Sequence, residues 1–208
     1  LSLELWIAFT LASAALLAVP GPTVLLVVSY ALGRGRSSAV ATVPGVTLGD
    51  FTAMTLSLLG AGAILAASAT LFTAMKLLGA AYLIWLGIQL WRAGGAVDAL
   101  SRMPSRADGW RMFWHSYVVT ALNPKGIVFF VAFVPQFVDP ASPVVGQFVI
   151  LEATFLVLAA VNVAVWALLA GQMRARFQSP PMVRLVNRIG GSFLVGAGLL
   201  TALTRRTA

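Results

Sequence analysis

Asp50, Lys125 and Glu152 each stand inside a long apolar stretch of this 208-residue chain, where an ionised side chain is expensive. Counted along a helix rising ~1.5 Å per residue, they fall ~15–18 Å deep, near the midplane of a bilayer. A charge at that depth costs on the order of 2.5–3.5 kcal/mol on insertion scales, so it should face the protein interior and have a partner. An embedded carboxylate suits the carriage of a proton or the holding of an ammonium group. An embedded ammonium suits the holding of a substrate carboxylate, and equally a structural ion pair with Asp50 or Glu152. Two acids and one base at a common depth can receive both ends of a zwitterion.

Two proline motifs accompany these charges. In Pro20-Gly21-Pro22 each proline lacks an N–H and clashes with the carbonyl four residues back, which frees the carbonyls of Leu16 and Ala18. A freed carbonyl in hydrocarbon costs several kcal/mol, so the break should face a cavity, with Pro22 opening a second half-helix whose N–H groups attract a carboxylate. Asn123-Pro124-Lys125 is the counterpart, where Pro124 frees the carbonyl of Thr120 and Lys125 follows at once. Asn162 is a further candidate for the cavity wall. Gly45-x-x-x-Gly49, just before Asp50, reads as a face for close helix packing, and His115 as an interfacial residue rather than a proton relay.

The elements that must position these residues are membrane spans. With 60% hydrophobic and 10% charged residues, the chain cannot give a soluble domain a polar surface, which excludes a soluble enzyme, a disordered tail and a secreted scaffold. The absence of cysteine excludes a disulfide framework and thiol chemistry, and with His115 the single histidine neither a metal site nor a cofactor is expected. Leu5 to Gly33 is a run of 29 uncharged residues, long enough for the first span. It is preceded by Glu4 rather than a basic cluster, so it is expected to stay in the mature protein. Ser37–Trp91 holds two spans divided near 67–73, Met112–Val138 a fourth, Val145–Gln172 a fifth and Ile189–Leu203 a shorter sixth.

The formal net charge of +8 belongs to loops rather than to a face for nucleic acid. Arg34 and Arg36, then Arg92 to Arg111, then Arg174 to Arg188 occupy alternate loops, which are expected in the cytoplasm, leaving both termini outside. Arg205 and Arg206 run against that assignment. The chain therefore divides into a first repeat over about 1–92, a cytoplasmic loop over about 93–111 and a second repeat over about 112–208. Pro22 precedes Asp50 by 28 residues, as Pro124 precedes Glu152, so one shift of 102 superimposes both pairs. With three spans in each half, the repeats would lie inverted in the membrane. The expected fold is thus an all-α membrane protein of six helices in two inverted three-helix repeats, with helices 1 and 4 broken at the proline motifs.

Pro20-Gly21-Pro22, Gly45-x-x-x-Gly49-Asp50, Gly79-x-x-Tyr82-Leu83-x-x-x-Gly87, and Asn123-Pro124-Lys125 followed by Phe129-Phe130 and Pro135-Gln136-Phe137 form an ordered set over nearly the whole chain. This set resembles the lysine exporter superfamily, in particular its homoserine/threonine efflux branch. The resemblance implies a bacterial inner-membrane exporter of amino acids or their derivatives, driven by the proton gradient. It also implies roles for Pro20, Gly21, Pro22, Asp50, Asn123, Pro124 and Lys125, whereas Glu152 rests on the repeat.

The leading reading is a secondary transporter that exports a small zwitterion in exchange for protons. Its partners are that substrate, protons and membrane lipid, with a homodimer left open and no nucleic acid. A metal or inorganic-ion transporter of the same superfamily is the alternative, permitted by the acids and disfavoured by the scarcity of Cys and His. A membrane-embedded enzyme is third, since no catalytic Ser/His, Cys/His or paired-Asp motif is present. The topology is testable because the chain has no native cysteine. Single cysteines at Ser37, Ser101 and Ser142 should react with an impermeant thiol reagent in intact spheroplasts only at Ser142, and labelling at Ser101 would reverse the orientation.

Overall fold

A computed structural model describes residues 1–67, 69–92, 108–139 and 142–170, together with residues 185, 188, 189, 192, 195, 196, 199, 202 and 203. Among them there are seven α-helical segments and no strand: α1 (Leu3–Ala18), α2 (Pro22–Arg34), α3 (Ala39–Ala67), α4 (Ala69–Arg92), α5 (Gly109–Ala121), α6 (Pro124–Ala132) and α7 (Val144–Ala170). The described residues between 185 and 203 are helical. The remainder of the sixth span and the loops 93–107 and 171–184 lie outside the described residues. Gly109 to Arg111, read from the sequence as loop, already belong to α5.

Each proline motif separates two helices. α1 stops at Ala18 and α2 starts at Pro22, with the axes bent by 54°; α5 stops at Ala121 and α6 starts at Pro124, with a 45° bend. Pro22 and Pro124 both occupy the first helical position, where the missing N–H has no intrahelical partner to lose. Two described helical stretches, Arg36–Gly60 and Val144–Ala170, are long and apolar enough to cross a membrane, and up to four crossings result if each bent pair counts as one. The chain is thus an all-α protein with apolar crossings.

Six hydroxyls inside these apolar helices satisfy themselves, whereas the buried hydroxyls of Ser13 and Ser116 have no partner among the described residues. Thr10, Ser29, Thr42, Thr47, Thr52 and Thr154 each donate to the carbonyl four residues back, so none presents a bare O–H to hydrocarbon. Apolarity itself does not separate the inner face of α7 from the outer. Leu151, Phe155, Ala159, Val163 and Ala167, four apart, are buried, while Val149, Val157, Val161 and Val165 are exposed. A helix flanked by lipid on one side and protein on the other is apolar all round, and neighbouring side chains decide which stripe is inside.

Among the described residues two apolar clusters make most of the core, beside a small third one of Leu26, Tyr30 and Met112. One gathers Phe9, Leu16, Met54, Phe129, Phe130, Phe133, Phe137 and Phe155 from α1, α3, α6, the 3-10 turn Val134–Phe137 and α7, with Phe130 and Phe155 edge-on at 4.9 Å. The other gathers Val24, Val27, Val28, Val46, Val163 and Ala167 from α2, α3 and α7. α3 is the central helix and packs against α5, α6 and α7. Its contact with α5 depends on the two glycines before Asp50. A Cβ on Gly45 would stand 2.5 Å from the Phe113 carbonyl oxygen, and one on Gly49 would stand 2.7 Å from that of Tyr117. Both obstacles are backbone and cannot swing aside. Gly49→Ala should therefore force α3 from α5 and lower stability by about 1–3 kcal/mol, the usual range for overpacking. Thermal unfolding in detergent checks this, with Gly60→Ala, which meets open space, as the neutral control.

Candidate functional site

The end of α1 is the foundation of the site. The backbone of Val19 is extended (φ −72°, ψ 115°), so the last carbonyls of α1 turn away from any continuing helix. Side chains from the second half of the chain take them up. Lys125 Nζ donates to the carbonyls of Leu16 (3.2 Å) and Val19 (3.0 Å), and Asn162 Nδ2 donates to that of Leu17 (3.1 Å). Gly21 leaves room for the ammonium, since a Cβ there would lie 3.3 Å from Nζ. The sequence predicted freed carbonyls at Leu16 and Ala18. Leu16 is indeed engaged, and Val19 takes the second place because the chain leaves the helix one residue before Pro20.

The second break is closed by its own asparagine. Asn123 caps α6, its Oδ1 accepting from the Lys125 N–H at 3.1 Å, while the Thr120 carbonyl that Pro124 frees accepts from the Asn123 N–H at 3.0 Å. The Asn123 amide also reaches the first break, where Nδ2 donates to Thr23 Oγ1 (3.3 Å), which stands 3.2 Å from Thr120 Oγ1. Thr23 and Thr120, both buried, were absent from the sequence-based candidates. A signal existed, because each adjoins a proline motif at a helix end, but hydroxyls are common in apolar helices and carry little information alone.

Asp50, buried on α3, lines one small cavity with Lys125, Asn123, Asn162, Gly21 and Thr23. The opposite walls are Leu16 and Phe155 from one apolar cluster and Val24, Val46 and Val163 from the other, so the cavity lies on the seam between them. Its volume is about 30 Å³, room for a water or two and too small for an amino acid. No carboxylate oxygen lies within 4.0 Å of Lys125 Nζ among the described residues, so of the two roles the sequence left open for Lys125 the direct ion pair is not made here, and its hydrogen bonds go to backbone carbonyls. Glu152 does not line this cavity. It accepts from Thr55 Oγ1 at 2.6 Å, on the side of α3 that follows Asp50. His115 lies elsewhere again, its Nδ1 2.8 Å from the hydroxyl of Tyr30. Among the described residues no cluster of His, Asp or Glu is suited to a metal ion.

Apolar crossings, two interrupted helices and a cavity that brings one acid and one base to the interruption describe a membrane translocator. The LysE type translocator family matches residues 14–205, and the chain belongs to it. It is 35% identical to the homoserine/homoserine lactone efflux protein of Salmonella typhimurium over 99% of both chains. It is 31% identical to an uncharacterized membrane protein of Vibrio cholerae over 99% of this chain and 100% of that one. With the leucine efflux protein of Enterobacter sp. it shares 30% identity over 86% of this chain and 85% of the relative. No solved structure matches. The family is one of translocators and not of enzymes, in agreement with the resemblance drawn from the motifs.

The bonds of Lys125 generate a test. Lys125→Met strands the Val19 carbonyl and leaves Leu16 with the single 3.3 Å bond from the Val19 N–H, so stability should fall by about 1–3 kcal/mol. Adding Glu152→Gln should not restore the melting temperature in detergent, and recovery in the double variant would return Glu152 to Lys125 as its partner.

Proposed function

We propose that this chain is a secondary active exporter of an amino acid or amino-acid derivative across the bacterial inner membrane, coupled to protons. The observation that carries the reading is one buried carboxylate and one ammonium facing a common cavity at a helix break without pairing directly. Asp50 is matched to a substrate ammonium, and Lys125, with the N-terminus of α2 beginning at Pro22, to its carboxylate. Thr23, Asn123 and Asn162 supply the uncharged polar contacts, while Leu17, Val24, Val46 and Phe155 face the substrate's side chain. Relatives named for homoserine and leucine efflux support a neutral amino-acid substrate.

The cavity is closed here, so loading requires the two half-helices to move apart, as expected if α1–α2 and α5–α6 are equivalent broken spans of an inverted repeat. Asp50 then alternates between a proton and the substrate ammonium, and Glu152, held by Thr55, is a second proton site off the cavity. The experiment is pH-gradient-driven flux of labelled homoserine and leucine in proteoliposomes. Asp50→Asn keeps the size and removes the charge, and its gradient-driven accumulation should drop to the level of empty liposomes. Accumulation by that variant at the wild-type rate would move the coupling site to Glu152. Pro20→Ala with Pro22→Ala should insert normally yet lose most transport, and wild-type flux there would reduce the break to a packing feature.

A further inference from the structure

A second recess, remote from the Asp50 cavity, opens at the end of α4. It is lined by Ile88, Trp91, Arg92, Ser192 and Val195 and has a volume of about 480 Å³. With α4 as the third span read from the sequence, its 24 residues give a helix ~36 Å long against ~30 Å of hydrocarbon, which puts Trp91 and Arg92 at the boundary between hydrocarbon and water. The recess is graded in the same direction. Ile88 lies one turn deeper in α4 than Arg92, and Val195 one turn from Ser192, so one end of the recess is aliphatic and the other basic. The Trp91 indole N–H donates to Ser192 Oγ at 2.9 Å, and the Arg188 guanidinium lies 5.5 Å from the centroid of the Trp91 ring. Trp91, the residue before Arg92, thereby holds Arg188 over its ring at this end of α4. No carboxylate lines the recess among the described residues.

We propose that this recess binds one anionic phospholipid of the leaflet on the Arg92 side, its phosphate between Arg92 and Arg188 and an acyl chain along Ile88 and Val195. Charge complementarity selects the occupant. Two guanidiniums at the membrane boundary favour a phosphate over a zwitterionic head group, whose choline or ethanolamine would meet them with like charge. The aliphatic end fits a chain and gives nothing to a free anion.

The test is native mass spectrometry of the full-length protein released from nanodiscs of phosphatidylcholine containing phosphatidylglycerol. The wild type should retain one phosphatidylglycerol per chain in preference to phosphatidylcholine. Arg92→Gln with Arg188→Gln should lower that preference on the order of ten-fold or more, as two lost basic contacts at an anionic surface imply. Equal retention of the two lipids by the wild type overturns the proposal without reference to any variant. So does undiminished preference in the double variant. Displacement of the bound lipid by millimolar inorganic phosphate would make the recess a phosphate site, and a recess protected from lipid only in a dimer would make it a contact between copies; either result also overturns it.

Discussion

One ammonium group holds the two halves of this protein in register. Lys125 sits on α6, yet the oxygens it binds belong to the end of α1. In a membrane interior a broken helix is admissible only where something replaces the lost intrahelical bonds. Here the replacement comes from side chains more than a hundred residues away in sequence, Lys125 and Asn162. The break in the first half is therefore conditional on the second half being in place. Gly21 belongs to the same arrangement, since any side chain there would press on the amine that closes the break.

Around that contact the remaining packing follows. α3 must approach α5 closely enough for Asp50 to share a cavity with Lys125, and Gly45 and Gly49 bring the two backbones together on that face. The aromatic cluster under α6 and the valine-rich cluster beside α2 are separate bodies of apolar contact, and the polar residues occupy their seam. Polar groups placed between two packed surfaces can be exposed by sliding one past the other, without dismantling either.

Much of this was legible in the sequence because hydrocarbon punishes polarity so severely. Asp50, Lys125 and Asn162 were singled out for lying in apolar stretches, and the structure brings all three to one cavity with Asn123 and Gly21. The breaks at Ala18 and Ala121 follow from proline chemistry. Pairing was not legible. The sequence offered carboxylates as partners for Lys125 because charge seeks charge, but backbone oxygens stripped of their helix compete successfully for an ammonium. Glu152 stands out for the same reason and is matched to Asp50 by a shift of 102 residues, but depth and register fix position along a helix without fixing which way a side chain faces. Its bond to Thr55 turns on rotation about the α7 axis. Thr23 and Thr120 escaped notice because a hydroxyl that bonds its own helix and one that bonds a neighbour look identical in sequence.

The small size of the Asp50 cavity has a kinetic meaning. A pocket of about 30 Å³ cannot admit an amino acid by simple collision. With this cavity as the proposed substrate site, entry must wait for the helices around Lys125 to part, so the observed rate of association should level off as substrate concentration rises, the plateau reporting the opening step. Part of the intrinsic affinity is spent on making room, and the measured dissociation constant exceeds the intrinsic one by the reciprocal of the open fraction. Mutations that loosen the closed state, including those far from the cavity, would then tighten apparent binding while touching no atom of the cargo.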